Sequence, residues 1–191
     1  DTGAMYRAIG LYPLRQGIPL SEEEAVSALA EKVRVDVRYT GGAQHTLVEG
    51  EDVTGLIRTP EVSMAASTVA RYARVRQAMV ALQRRLAAEQ PMLVDGRDIG
   101  TRVLPQATLK VFLTASAEER ARRRFLELQQ KGLPDTYEEV LAELKKRDDQ
   151  DMHRAVDPLR PAADARMLDS TSLTFEEVVD TLVKWAKEAS A

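Results

Sequence analysis

The sequence predicts an α/β fold in which helices flank a parallel sheet and a small antiparallel insert interrupts the alternation. Short apolar runs at 91–94 and 109–113 lie between helical segments, and they are expected to be buried strands of the parallel sheet. Residues 33–39 alternate apolar and charged side chains, which is typical of a half-exposed antiparallel strand. The length of 191 residues fits one compact domain with a small inserted subdomain.

Helices are predicted mainly from their start patterns. A capping box, in which a Ser or Thr is followed three residues later by Glu, marks several of them. The helices predicted in this way run from Ser21 to about Lys32, from Ser116 to about Lys131, from Thr136 to about Met152 and from Thr174 through Trp185. Thr59 followed by Pro60 at the first helical position indicates another helix, and a further one is expected over 74–88.

The remaining strands follow from turn residues and short apolar runs. Gly41 and Gly42 predict a hairpin turn, so the strand at 33–39 is expected to pair with residues 45–48. Residues 166–168 are expected to form the last strand of the parallel sheet.

Composition restricts the function classes. The net charge of -3 argues against a general nucleic-acid coat, and the absence of cysteine leaves no disulfide framework and no thiolate site. The sequence shows no apolar run near the ~20 residues of a membrane span and no signal peptide. We therefore expect a cytoplasmic chain with no nucleic-acid or membrane partner.

A polar stretch follows the predicted strand at 91–94. Its sequence, VDGRDIGT at 94–101, places polar groups past the carboxyl end of a strand, where open α/β sheets bind ligands. The guanidinium of Arg97 suits a phosphate, and the glycines allow close approach to the backbone. The alternative is a tight turn with a surface ion pair.

A second candidate site lies on the predicted helix that starts at Thr136. Arg147, Asp151 and Arg154 have a spacing that places them on one helix face. Two guanidinium groups and a carboxylate in that arrangement could bind a polyanion that also has a hydroxyl group. The alternative is an exposed ladder of salt bridges, which is common on helices.

Two further groups of arginines are open to two interpretations. One comprises Arg120, Arg122, Arg123 and Arg124. These four cations repel one another unless an anion such as a triphosphate lies near, or unless Glu118, Glu119 and Glu127 neutralise a solvated helix. The other group comprises Ser67, Arg71, Arg74 and Arg76 around Tyr72. Its polar atoms could read the edge of a nucleobase, or they could be helix caps and surface charge.

Six motifs occur in a fixed order along the chain. They are DTGAMYR at 1–7, VDGRDIGT at 94–101, EERARRR at 118–124, RDDQDMHR at 147–154, PLRPAADA at 158–165 and LDST at 168–171. The ordered set closely resembles the bacterial cytidylate kinases, and the resemblance spans essentially the whole chain. It implies a P-loop nucleoside-monophosphate-kinase-like fold with a three-stranded antiparallel insert and a lid. It also implies phosphoryl transfer from ATP to CMP or dCMP with Mg²⁺.

The resemblance implies a role for each matching residue. Ser67, Arg76 and Asp98 would contact cytosine, and Arg147 and Asp151 would contact the ribose. The acceptor phosphate would be bound by Arg7, Arg97 and Arg154. Thr2 would bind the substrate, with no particular group assigned to it. Arg123, with Arg120 and Arg124, would form the lid over the phosphates of ATP. Arg97, Arg123 and Arg154 are thus the expected catalytic residues, and no residue is assigned as a metal ligand.

The resemblance also implies a division of the chain. The expected parts are a core at 1–32 and 59–115, an insert at 33–58, a lid with flanking helices at 116–154 and the C-terminal part of the core at 155–191. A monomer is expected.

One feature of the family is absent from this sequence. No stretch has the pattern G-x-x-x-x-G-K-[ST] of a phosphate-binding loop, which the family has upstream of its DTG motif. We expect a segment with this loop, a strand and a helix to precede Asp1, and we expect the 191-residue polypeptide alone to be inactive and poorly stable. The alternatives are a kinase for another nucleoside monophosphate, such as UMP, and a non-catalytic nucleotide-binding module.

Overall fold

The computed structural model describes residues 1–190 and divides into two compact units. The first unit is Asp1–Ile99, and the second begins at Gly100. Both contain helices and strands, and the mixed α/β fold class predicted from the sequence is confirmed. Within residues 1–190, no helix is both long and apolar enough to cross a membrane.

The first unit begins with a helix that the sequence patterns do not predict. This helix, α1 (Thr2–Gln16), contains Gly3, Gly10 and Pro13, which are poor helix formers. The carboxylate of Asp1 caps it by accepting a hydrogen bond of 3.0 Å from the backbone N–H of Ala4. Because α1 is buried on one side, tertiary packing stabilises a segment whose intrinsic helix propensity is low.

Three further helices of the first unit lie close to their predicted positions. They are α2 (Glu23–Lys32), α3 (Pro60–Val69) and α4 (Ala73–Glu89). Thr59 caps α3 as predicted, but the predicted cap at Ser21 is wrong. Ser21 lies inside a turn closed by a hydrogen bond from the N–H of Glu22 to the carbonyl of Pro19, so α2 starts later and without a side-chain cap.

A three-stranded antiparallel sheet forms the insert of the first unit. Its strands are β1 (Val35–Thr40), β2 (Ala43–Val48) and β3 (Glu51–Asp52), in that spatial order. Gly41 and Gly42 have φ angles of 61° and 78°, as a tight hairpin turn with two left-handed residues requires. The predicted hairpin and the third strand implied by the resemblance are confirmed.

The predicted buried strand at 91–94 is wrong. The structure assigns no strand there, and Leu93 is 82% exposed. A strand forms only when its backbone groups pair with a neighbouring strand, and no strand in residues 1–190 pairs with this run. The apolar pattern alone does not supply such a partner.

The second unit contains a parallel pair of strands and three helices. Strands β4 (Val111–Thr114) and β5 (Arg166–Asp169) pair in parallel, with Val111 opposite Arg166, which confirms the two strands predicted there. The burial predicted for the first of them is wrong, because Leu113 is 52% exposed and β4 pairs with one strand only among residues 1–190. One π-helical turn over Ile99–Val103 precedes β4. The helices of this unit are α5 (Ala117–Gln130), α6 (Tyr137–His153) and α7 (Phe175–Ala189).

Side-chain caps start all three helices of the second unit at their predicted residues. Thr136 and Thr174 form complete capping boxes at α6 and α7. Ser116 caps α5 by accepting from the N–H of Glu119. The carboxylate of Glu119 does not return the hydrogen bond, because it binds two arginines.

Close packing of α1 on α3 depends on Gly10. A Cβ atom added at Gly10 would lie 2.9 Å from the backbone nitrogen of Ala66 and 3.0 Å from the Cβ of Ala65. Both neighbours belong to a buried helix, so neither can move easily.

Replacement of Gly10 by Ala is therefore expected to destabilise the protein by about 1–3 kcal/mol. Helix propensity alone would favour Ala by up to about 1 kcal/mol, so a net loss identifies the steric clash as the dominant effect. Urea unfolding of the protein expressed from its complete gene measures this change. Gly55→Ala is the control, because a Cβ there meets nothing within 4 Å. Equal stability of the two variants would contradict the packing argument.

Candidate functional site

A buried ion pair joins α4 to the loop that follows residue 94. The guanidinium of Arg76 contacts the carboxylate of Asp98, and the two residues are only 2% and 6% exposed. Arg76 also donates to the carbonyl of Ala70 at 3.4 Å, and it lies 5.8 Å from the ring centroid of Tyr6 on α1. Two of the three predicted base-contacting residues are thus brought together.

The third predicted base-contacting residue, Ser67, lies half-buried on α3. Its hydroxyl donates to the carbonyl of Ser63 at 3.2 Å, which is the usual in-helix hydrogen bond of a serine. Arg74 has a purely structural environment, because its guanidinium joins α4 to α2 through Glu24 at 2.6 Å and Glu31 at 2.8 Å. For Arg74, the surface-charge interpretation is confirmed.

Thr2 connects α1 to the polar loop at 95–98. Its backbone N–H and its hydroxyl both donate to the carbonyl of Asp95, at 3.1 and 2.7 Å. A Cβ at Gly96 would lie 2.3 Å from that hydroxyl, so this position requires glycine. The loop is therefore held at one end by Thr2 and at the other by the Arg76–Asp98 pair. Arg97 lies between these contacts and is exposed, whereas Arg7 on α1 is half-buried.

In the second unit, the end of α6 holds Arg154 against the chain that follows it. Arg154 is the residue that ends α6, and its guanidinium donates through Nε to the carbonyl of Asp157 at 2.7 Å. It also lies 3.7 Å from the carboxylate of Asp151. The predicted proximity of these two residues is present, although Arg154 has left the helical conformation. Arg147 is half-buried one turn before Asp151.

The arginines of α5 all have acidic partners within the second unit. Arg120 binds Asp148 on α6 through two hydrogen bonds of 3.1 and 2.6 Å. The other pairs are Arg122 and Arg123 with Glu119, at 2.7 and 2.8 Å, and Arg124 with Glu127, at 2.7 Å. Hydrogen bonds from Arg122, and then from Arg123, lower the pKa of Glu119 to about 2. Carboxylate neutralisation, one of the two interpretations left open, is therefore present.

Arg123 differs from its neighbours because it also contacts the residue after β5. Its two terminal nitrogens donate to the hydroxyl of Ser170 at 3.2 Å and to the carbonyl of Ser170 at 2.6 Å. Ser170 lies within the motif LDST at 168–171, for which the sequence predicts no role. Its position directly after a strand is the pattern that could have identified it.

Metal-ligating side chains are not grouped in the described chain. Across residues 1–190, no three His, Cys, Asp or Glu side chains lie together as a metal site. His45, one of the two histidines, binds Asp52 at 2.7 Å on the antiparallel sheet. The polar contacts described above are formed by guanidinium, carboxylate and hydroxyl groups, and guanidinium groups suit the binding of an anionic ligand.

Comparison with known proteins gives consistent results. The family profile described as Cytidylate kinase matches residues 1–188. A cytidylate kinase of Caldicellulosiruptor bescii is 49% identical over 184 residues, which are 96% of this chain and 81% of that protein. The cytidylate kinases of Salmonella typhimurium and Escherichia coli O1:K1 are each 47% identical over 191 residues, which are 100% of this chain and 84% of either relative.

Removal of Arg76 is expected to destabilise the protein strongly. Arg76→Ala leaves the buried carboxylate of Asp98 without its partner, and loss of one member of a buried pair costs about 3–5 kcal/mol. Urea unfolding measures the loss. Arg74→Ala on the same helix is the matched control, and a much smaller change is expected there because its partners are exposed. Similar losses in both variants would show that burial of the Arg76–Asp98 pair has little effect.

The ion pairs of Glu119 are expected to make stability depend on acid pH. The pKa of Glu119 falls from its ordinary value of 4.5 to about 2, so the stabilisation is complete above pH 4.5 and is lost as the pH falls toward 2. The difference in unfolding free energy between Glu119→Gln and the unchanged protein should therefore shrink below pH 4.5. Urea titrations from pH 7 to pH 3 measure it, and a difference independent of pH would refute the assignment.

Proposed function

This chain belongs to the cytidylate kinase family, and from that membership we infer that it transfers the γ-phosphoryl group of ATP to CMP, and also to dCMP. The observation on which this depends is the match of the family profile over residues 1–188, which takes in both compact units. The products are CDP or dCDP and ADP, so the protein acts in pyrimidine nucleotide metabolism. No comparison favours a UMP kinase or a non-catalytic binding module.

Selection of cytosine is proposed to depend on Arg76, Asp98 and Ser67. A carboxylate accepts from the exocyclic amino group of cytosine, and a guanidinium or hydroxyl donates to its ring nitrogen or carbonyl oxygen. The contact between Arg76 and Asp98 supports this proposal, because it places a donor and an acceptor side by side. Uracil has a carbonyl oxygen where cytosine has its amino group, so it would point an acceptor at the acceptor carboxylate.

The residues proposed to bind the sugar and phosphate of the acceptor are those that match the family's motifs. In the first unit, Thr2, Arg7 and Arg97 are proposed to bind the substrate, the latter two through its phosphate. In the second unit, Arg147 and Asp151 are proposed to contact the ribose, and Arg154 the phosphate. The hydrogen bonds of Arg154 to the chain at Asp157 support a fixed role, because an arginine already held in place loses little freedom on binding.

Phosphoryl transfer needs positioning and charge cancellation more than covalent chemistry. Two nucleotide anions must be brought in line, and the charge on the transferred group must be stabilised. Arg123, together with Arg120 and Arg124, is proposed to act on the phosphates of ATP as part of the lid, which with its flanking helices takes in 116–154. Closure of such a lid also excludes water, which would otherwise hydrolyse ATP. The concentration of guanidinium groups on α5 supports this proposal.

Mg²⁺ is proposed to enter as the complex with ATP. It usually keeps several waters and binds substrate phosphates with few protein ligands, and it neutralises phosphate charge during transfer. No residue of this chain is assigned to it. We also propose that the protein is a cytoplasmic monomer. Its proposed functional parts are the core at 1–32 and 59–115, the insert at 33–58, the lid with flanking helices at 116–154 and the C-terminal part of the core at 155–191.

The activity is tested with the protein expressed from its complete gene. Release of ADP is followed by a coupled assay with ATP, Mg²⁺ and CMP, dCMP or UMP. CMP and dCMP should both be phosphorylated, and UMP is expected to react with a kcat/KM lower by about 10⁴-fold, because a site built for hydrogen bonds rejects analogues that leave them unpaired. Absence of CDP would refute the proposed function, and equal use of UMP would refute the base contacts.

The contact of Ser67 is tested by Ser67→Ala, which removes a hydroxyl without breaking the buried ion pair. The KM for CMP should rise by about 3- to 10-fold, as loss of one neutral hydrogen bond implies. The KM for ATP and the unfolding midpoint should stay unchanged. Ser63→Ala is the matched control, because its hydroxyl makes the same in-helix hydrogen bond to the carbonyl of Thr59. Equal kinetics of the two variants would contradict the role of Ser67.

A further inference from the structure

Ser170 links α5 to the carboxyl ends of both strands of the parallel pair. Its backbone N–H and its hydroxyl donate to the carbonyl of Thr114, the last residue of β4, at 2.8 and 3.0 Å. Its hydroxyl and its carbonyl also accept from the terminal nitrogens of Arg123, at 3.2 and 2.6 Å. Ser170 is 4% exposed, and its hydrogen bonds with Arg123 are partly buried.

The contacts with Ser170 fix the direction of the Arg123 guanidinium. Its Nε donates to Glu119 at 2.8 Å, and its two terminal nitrogens donate to Ser170. A guanidinium has five N–H donors, and three of those of Arg123 are used in these contacts with residues of the described chain. Two donors therefore remain for a ligand. The Arg123 side chain is 41% exposed.

The contact between Arg123 and Ser170 lies at the carboxyl ends of β4 and β5, and this place indicates a function for the orientation of Arg123. Ligands of open α/β sheets bind outside the carboxyl ends of the strands. Thr114 and Asp169 are the last residues of β4 and β5, and Ser170 follows directly. The N–H donors left on a guanidinium anchored there can donate to the oxygens of a phosphate group.

We propose that Ser170 is a positioning residue, which holds the guanidinium of Arg123 in the orientation that binds a phosphate of the donor nucleotide. This inference rests on the proposed function, because it assigns to Arg123 a ligand that only the kinase activity supplies. Preorganisation by Ser170 spares the arginine the loss of side-chain freedom when the nucleotide binds. Ser170 itself does not contact the nucleotide.

The test is a double-mutant cycle of Ser170→Ala and Arg123→Ala in the protein expressed from its complete gene. In the unchanged background, Ser170→Ala should lower kcat/KM for ATP by about tenfold, as loss of one hydrogen bond to a charged group implies. The KM for CMP should stay within about twofold. In the Arg123→Ala background, Ser170→Ala should have no further effect on kcat/KM for ATP, because residues that act through one another are not additive.

Thermal unfolding and a neighbouring variant separate positioning from a role in folding. Ser170→Ala also removes the hydroxyl contact with Thr114, so it should lower the unfolding midpoint in both backgrounds, including Arg123→Ala, where the contact with Arg123 is already absent. Thr171→Ala is the matched control, because Thr171 contacts the start of α5 through the N–H of Ser116 at 2.9 Å but does not contact Arg123. Thr171→Ala should leave kcat/KM for ATP unchanged. If Ser170→Ala does not fold, the nearly isosteric Ser170→Cys replaces it, because a thiol is a weak hydrogen-bonding group.

Each result decides the proposal. An equal loss of kcat/KM from Ser170→Ala in both backgrounds, or the same loss in Thr171→Ala, would overturn the inference and leave the kinase activity intact. A normal KM for ATP in Arg123→Ala would also overturn it. Absence of CDP formation by the unchanged protein would instead refute the proposed function on which the inference rests.

Discussion

The buried ion pair of Arg76 and Asp98 is the interaction on which the first unit depends most. Two charges taken out of water lose their hydration, and that loss is offset only when the partners face each other closely and their remaining polar atoms are bound. Here the pair joins α4 to the loop after residue 94, and the ring of Tyr6 brings α1 to the same point. Three segments distant in sequence therefore meet at one polar contact.

The arginines of the second unit use the same chemistry in a more exposed setting. Ion pairs at the surface contribute little to stability, since water screens them and long side chains lose freedom. Their effect is to fix direction. Glu119 binds two arginines at once, and Arg123 reaches past it to Ser170 at the end of β5. The four cations of this helix thus all have carboxylate partners, and the Arg123 side chain is 41% exposed.

Local patterns predicted local structure well, and they failed where the outcome depended on distant partners. The capping residues Thr136 and Thr174 and the glycine turn of the hairpin were confirmed, because each depends on atoms within a few residues. Ser21 failed because the turn at Pro19 delays its helix. The apolar run at 91–94 failed because a strand requires a paired neighbour, and α1 was missed because its stability comes from burial rather than propensity.

The sequence by itself determined the family, most helix starts, the antiparallel hairpin and the residue types of the candidate site. Ordered motifs and short-range periodicities are sufficient for these, because they involve hydrogen bonds and packing between near neighbours. Only the tertiary structure decided which carboxylate pairs with which arginine. Arg76 is buried and pairs with Asp98, whereas Arg74 on the same helix pairs with Glu31 at the surface. Arg123 donates to the carbonyl of Ser170. The reason is that guanidinium groups look alike in sequence, whereas their partners and burial depend on contacts between elements that lie far apart along the chain.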